Sequence, residues 1–80
     1  MKKRAYIAQR DRLVSLLREM RIEAGLTQNE LAGRIEKDQA YVSRYESGQR
    51  RLDVLEVREI CQAIGIKFEV FVRRLEKVLK

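Results

Sequence analysis

In the stretch KDQAYVSRYESGQRR, residues 37–51, side chains that make directional hydrogen bonds recur at helical spacing. At about 100° per residue, Gln39, Ala40, Ser43, Arg44 and Ser47 share one face of a helix, while Val42 and Tyr45 share the opposite one. The polar face combines a carboxamide, with a donor and an acceptor side by side, and a guanidinium with parallel donors. Those geometries match the major-groove edges of adenine and guanine, and the small Ala40 and Ser43 permit close approach. An ordinary solvated surface is also polar, and periodicity alone does not separate the two. Three neighbouring features favour the reading surface: a short turn before the segment, Gln28 at the start of the preceding helix, and Gln49, Arg50 and Arg51 after it. A helix N-terminus offers free amides to a phosphate, and Gln28 is placed to brace that contact. Arg50 and Arg51 are placed to clamp the backbone nearby.

The elements that must hold this face follow from caps and apolar spacing. Leu13, Leu16, Leu17, Met20 and Ala24 form the inner stripe of a first helix that Gly25 ends. Asp11 could cap its start, or the helix could begin earlier, near Tyr6. Thr27 with Glu30 three residues on is a capping box for a second helix, whose inward residues are Leu31, Ala32 and Ile35. Asp38 caps a third, Gln39 to about Glu46, and Gly48 stops it. Asp53 and Glu56 repeat the box for a fourth helix carrying Val54, Val57, Ile60, Cys61 and Ile64, ended by Gly65. A fifth begins near Phe68, with Phe68, Phe71, Val72, Leu75, Val78 and Leu79 on one stripe. Only Glu36, Lys37 and Asp38 separate the second and third helices, so they must cross steeply as a helix-turn-helix, with the small Ala32 at the closest approach. The expected fold is all-α, a compact five-helix domain.

Eighty residues allow one small core. Eighteen Lys and Arg against twelve Asp and Glu give a net charge of +6, which favours polyanion partners through counterion release. With no histidine and Cys61 as the single cysteine, no intrachain disulfide or Cys/His metal site can form. Nor is there a nucleophile–base pair or a glycine-rich phosphate loop, so neither catalysis nor a cofactor is expected. The basic N-terminus lacks the apolar run of roughly 7–15 residues that a secretory signal needs, and a cytoplasmic location is expected.

The segments REMRIEAGLTQNELAGRI, AYVSRYESGQRRLD and ICQAIGI resemble the XRE family, which includes the phage Cro and CI repressors. The resemblance implies a lambda-repressor-like DNA-binding fold, with the third helix in the major groove of double-stranded DNA. Matched by position, it implies that Gln39, Ala40, Ser43 and Arg44 face base edges, and that Thr27, Gln28, Tyr41, Gln49, Arg50 and Arg51 lie near phosphates. It further implies a largely buried ion pair between Arg21 and Glu46, and a two-fold homodimer on a palindromic operator. The parts are then residues 1–12, a basic arm or the start of helix one; 13–66, the helix-turn-helix domain; and 67–80, a C-terminal helix that completes the core and dimerises. Candidate dimer residues are Phe71, Leu75 and Val78, unless the whole stripe folds back on its own chain. Two departures stand out. Glu36 occupies a turn position where members often have glycine, so the turn is expected to differ locally; Leu52 replaces a common proline. The expected role is a transcriptional regulator, a repressor or autoregulator. The alternative is a protein-interaction module, such as an antitoxin whose partner is a toxin.

Overall fold

Side-chain caps set where the three middle helices begin. Thr27 Oγ1 accepts from the Glu30 amide at 3.0 Å while Glu30 Oε1 accepts from the Thr27 amide at 2.9 Å. Asp53 and Glu56 exchange the same pair of bonds, at 2.8 and 2.9 Å. Asp38 Oδ1 accepts from the Tyr41 amide at 2.9 Å. Each cap contributes about 1 kcal/mol, and each fixes a helical register. The computed structural model describes residues 2–80 and has five helices in the expected order. They are α1 (Lys3–Glu23), α2 (Gln28–Arg34), α3 (Gln39–Glu46), α4 (Val54–Ile64) and α5 (Phe68–Leu79). No strand occurs among the described residues.

The longest helix takes the earlier of the two starts that the sequence left open. It begins at Lys3, so Asp11 lies within it and caps nothing, and residues 3–12 are helix, not a free arm. Lys2 makes no side-chain cap, so no local signal announces this end. Tertiary bonds hold the extension down: Arg10 Nη2 donates to the Gly48 carbonyl, and Arg12 Nη1 to the Val78 carbonyl at 3.2 Å.

The core joins Leu16, Leu17 and Met20 of α1 to Leu31 and Ala32 of α2, Val42 and Tyr45 of α3, and Val57, Ile60 and Cys61 of α4. Val14 belongs to it as well, whereas Ala24 is exposed at the C-cap of α1 and Val54 at the first position of α4. Both exposed residues stand at helix ends, where the apolar stripe has already turned away from neighbours. Phe71 closes the core at 1% exposure, stacked on the half-buried Phe68 with ring centroids 6.2 Å apart. Its burial within one chain removes Phe71 from the dimer candidates.

The turn between α2 and α3 keeps the left-handed geometry despite the missing glycine. Glu36 has φ 56°, and the Lys37 amide reaches back to the Ala32 carbonyl at 2.9 Å. A non-glycine residue there costs roughly 1–2 kcal/mol, so the turn is strained and not rerouted. Leu52, in place of proline, is half-buried against the core and anchors the approach to α4 by packing.

Candidate nucleic-acid interface

Val42 and Tyr45 are both fully buried, and they seat α3 with its other side outward. On that side Gln39, Arg44 and Ser47 are exposed, and Ala40 and Ser43 are half-buried beside them. The Arg44 carbonyl accepts from the Gln49 and Arg50 amides at 2.9 and 3.2 Å, so the basic loop is folded directly under the end of α3. The base-facing candidates thus share one surface, as their spacing predicts.

A hydrogen-bonded chain ties this surface to the core. Gln39 Nε2 donates to Gln28 Oε1 at 2.7 Å, and Gln28 Nε2 donates to Glu46 Oε1 at 3.0 Å. Arg21 completes it, with Nε on Glu46 Oε2 at 2.7 Å, Nη2 on Oε1 at 3.0 Å and Nη1 on the Leu26 carbonyl at 2.8 Å. The two charged side chains are only 9% and 4% exposed. The hydrogen bond to Glu46 raises the Arg21 pKa above its ordinary value, outweighing the opposing effect of burial. The ion pair is therefore present as the resemblance implies. Gln28, however, spends both ends of its amide inside the protein, orienting Gln39. Sequence reasoning placed Gln28 at the helix start, but could not show that Glu46 lies within reach.

The phosphate candidates divide in the same way. Thr27 is exposed with its hydroxyl oxygen in the α2 cap, and Gln49 and Arg51 are exposed. Arg51 lies with its guanidinium carbon 5.9 Å from the Tyr6 ring centroid. Arg50 instead points inward along its loop: Nη2 donates to Glu56 Oε2 at 2.9 Å, and Nη1 to the Arg51 carbonyl at 3.0 Å. Its guanidinium carbon stands 4.6 Å from the ring centroid of Tyr41. The Tyr41 hydroxyl donates to that same Glu56 oxygen at 3.3 Å, and the ring meets Tyr45 edge-on at 5.8 Å. Burial, and then the Glu56 charge, raise the Tyr41 pKa. Glu56 was legible in the sequence as a cap only; its second role joins residues that no helical period relates.

Of the remaining dimer candidates, Leu75 is half-buried against the core and Val78 is 39% exposed. The most exposed large apolar side chains are Val54 and Leu55, at 64% and 72%. Cys61 is buried, and desolvation pushes its thiol up to about 11, away from reactivity at neutral pH. Among the described residues no acidic, Cys or His cluster could hold a metal, and no helix is long and apolar enough to cross a membrane.

The model of the helix-turn-helix family matches residues 17–71, from the middle of α1 into α5. The chain belongs to this family. An XRE-family like protein from Pseudomonas syringae pv. tomato str. DC3000 is 39% identical over 95% of this chain and 93% of its own, with a TM-score of 0.88. The restriction-modification controller protein C.Esp1396I, solved as a tetramer in complex with its natural 35 base-pair operator, is 25% identical. That match covers 89% of this chain and 93% of the other, with a TM-score of 0.82. The wild-type controller solved separately gives 27% identity, 90% and 96% coverage, and a TM-score of 0.83. Comparison with the curated proteins returns no match. The chain is thus an XRE-type, DNA-binding transcriptional regulator, and α2 and α3 are its helix-turn-helix.

Proposed function

We propose that the protein is a sequence-specific regulator of double-stranded DNA that acts as a homodimer and represses or autoregulates by occupying an operator. The observation that carries this reading is a helix fully buried on one side by Val42 and Tyr45 while Gln39 and Arg44 stand exposed on the other. With α3 in the major groove, Gln39 offers its carboxamide to adenine, Arg44 its guanidinium to guanine, and Ala40 and Ser43 let the helix approach closely. Gln28 holds Gln39 in one orientation before DNA arrives, which lowers the ordering cost of that contact. Thr27, Gln49 and Arg51 lie against phosphates, with Gln28, Tyr41 and Arg50 behind them, and set the register of the helix on the duplex. The oligomeric controller protein to which the chain is similar supports a two-fold assembly, with half-sites about 34–36 Å apart on a palindromic operator. Val78, exposed on α5, and the half-buried Leu75 are the apolar side chains offered to the second copy.

Selection of bound duplexes from a random pool tests the reading. The expected result is one enriched sequence with two symmetric halves. In the selected site, Arg44→Ala should cost about 1–3 kcal/mol and relax preference at one base pair. Arg51→Ala should weaken binding to every sequence and reduce the salt slope by about 1. A pool with no enriched sequence, or an Arg44→Ala variant equally weakened on all duplexes, counts against base reading. A monomer in sedimentation equilibrium at micromolar concentration, on and off DNA, counts against the dimer.

A further inference from the structure

Arg50 and Arg51 are adjacent in sequence, yet their surroundings differ. Arg51 is exposed and has no carboxylate within ion-pair distance among the described residues, whereas Arg50 is paired with Glu56 at 2.9 Å. The Glu56 carboxylate is held at both ends. Oε1 accepts the Asp53 amide in the α4 cap, and Oε2 accepts Arg50 Nη2 and the Tyr41 hydroxyl. A guanidinium and a hydroxyl converging on one anionic oxygen is the donor set that grips a phosphate oxygen. The side chains of the pair are 40% and 28% exposed, so a competing anion can reach them and little folding stability depends on the contact.

We propose that Glu56 is an internal phosphate surrogate that holds Arg50 and Tyr41 in the free protein and gives way to a backbone phosphate when DNA binds. This rests on the DNA-binding reading above. An arginine that enters the complex from water releases counterions from the duplex. Arg50 enters already neutralised, and its departure leaves an unpaired carboxylate beside the phosphates. The net gain at this position is small for any sequence. Glu56 therefore lowers sequence-independent affinity and flattens its salt dependence, which leaves the outer face of α3 a larger share of the binding energy.

The test is titration of the full chain with a mixed-sequence duplex across roughly 50–200 mM salt, followed by fluorescence anisotropy. Glu56→Gln removes the charge while its carboxamide still accepts the Asp53 amide, so the cap survives. Its slope of log affinity against log salt should steepen by about 1, with binding roughly tenfold tighter at the low-salt end. Glu69→Gln, which removes the same charge from the first turn of α5, should shift the slope far less. Combining Arg50→Ala with Glu56→Gln should return the slope close to that of the unaltered protein. A Glu56→Gln slope no steeper than that of Glu69→Gln overturns the proposal, as does a steepening that survives Arg50→Ala. If the unaltered protein fails to bind duplex DNA even at low salt, the DNA-binding reading itself falls; if it binds and Glu56→Gln matches it, only the role of Glu56 falls.

Discussion

Replacing Arg21 with methionine removes three hydrogen bonds at once. Two of them, at 2.7 and 3.0 Å, satisfy the Glu46 carboxylate, and the third, at 2.8 Å, satisfies the Leu26 carbonyl. Methionine keeps the packing of the arginine stem, so the loss is chiefly polar. Glu46 retains one donor, Gln28 Nε2 at 3.0 Å, which is too little for a carboxylate only 4% exposed. An unpaired charge in that setting costs about 3–5 kcal/mol. Small domains have about 5–15 kcal/mol in total, and each 1 kcal/mol moves Tm by about 4–8 °C at this size. Arg21→Met should therefore lower Tm on the order of 20 °C, read by far-ultraviolet circular dichroism and by urea unfolding. Arg21→Met combined with Glu46→Leu should recover most of the loss, because an apolar pair of similar volume leaves no buried charge unpaired. An Arg21→Met variant within about 1 kcal/mol of the unaltered protein would refute the burial argument. So would a double variant as unstable as the single one. In the double variant Gln28 also loses its acceptor, so DNA affinity should stay depressed even where stability returns. That separation identifies the chain from Arg21 to Gln39 as an organiser of the reading face and not merely a support for the fold.

Two further outcomes are expected. Glu36→Gly removes the strain of φ 56° but loosens the unfolded chain, so stability should rise by up to about 1 kcal/mol, measured by urea unfolding; a loss would show that the left-handed residue is unstrained. The Glu30 carboxylate is held below its usual pKa by the Thr27 amide, and that of Glu56 by the Arg50 guanidinium and then the Asp53 amide. A lowered folded pKa means stability that is complete above about pH 4.5 and lost as pH falls through the folded values. Melting curves from pH 7 downward should fall more gently below about pH 4.5 in the Glu30→Gln, Glu56→Gln double variant than in the unaltered protein, and parallel curves would exclude these two carboxylates as the source.

How much could be read from the residues alone depended on the range of the forces involved. Thr27, Asp38 and Asp53 cap within their own first turn, so sequence spacing sufficed to place α2, α3 and α4, and with them the outward register of Gln39 and Arg44. The start of α1 stayed open between Asp11 and a point near Tyr6 because Lys2 contributes no cap, and residues 3–12 are held by bonds from Arg10 to Gly48 and from Arg12 to Val78, 38 and 66 residues away. The same limit explains the candidate site. The DNA-contact candidates lie on α3, in the loop after it and at the start of α2, but the state of Gln28, Tyr41 and Arg50 depends on partners that cross elements. Gln28 looked free because Glu46 lies 18 residues away, and Arg50 looked free because Glu56 lies across a loop.

Those two hidden partners are both carboxylates, and they act on opposite sides of recognition. Glu46 is buried, and through Gln28 it fixes the amide that faces the base edges; removing its partner should cost stability first. Glu56 is half-buried and opposes the phosphate contact; removing it should strengthen binding and leave the fold intact. A basic protein of net charge +6 has no difficulty attracting DNA, and its harder task is to avoid holding all DNA equally. Spending one carboxylate to orient a base-reading amide and another to restrain a backbone-gripping arginine shifts affinity from the phosphates toward the bases. The two variants should therefore move in opposite directions on mixed-sequence DNA, Arg21→Met weaker and Glu56→Gln tighter; net charge alone predicts the same two directions, so a Glu69→Gln variant that tightens binding as much as Glu56→Gln would show that net charge alone governs binding.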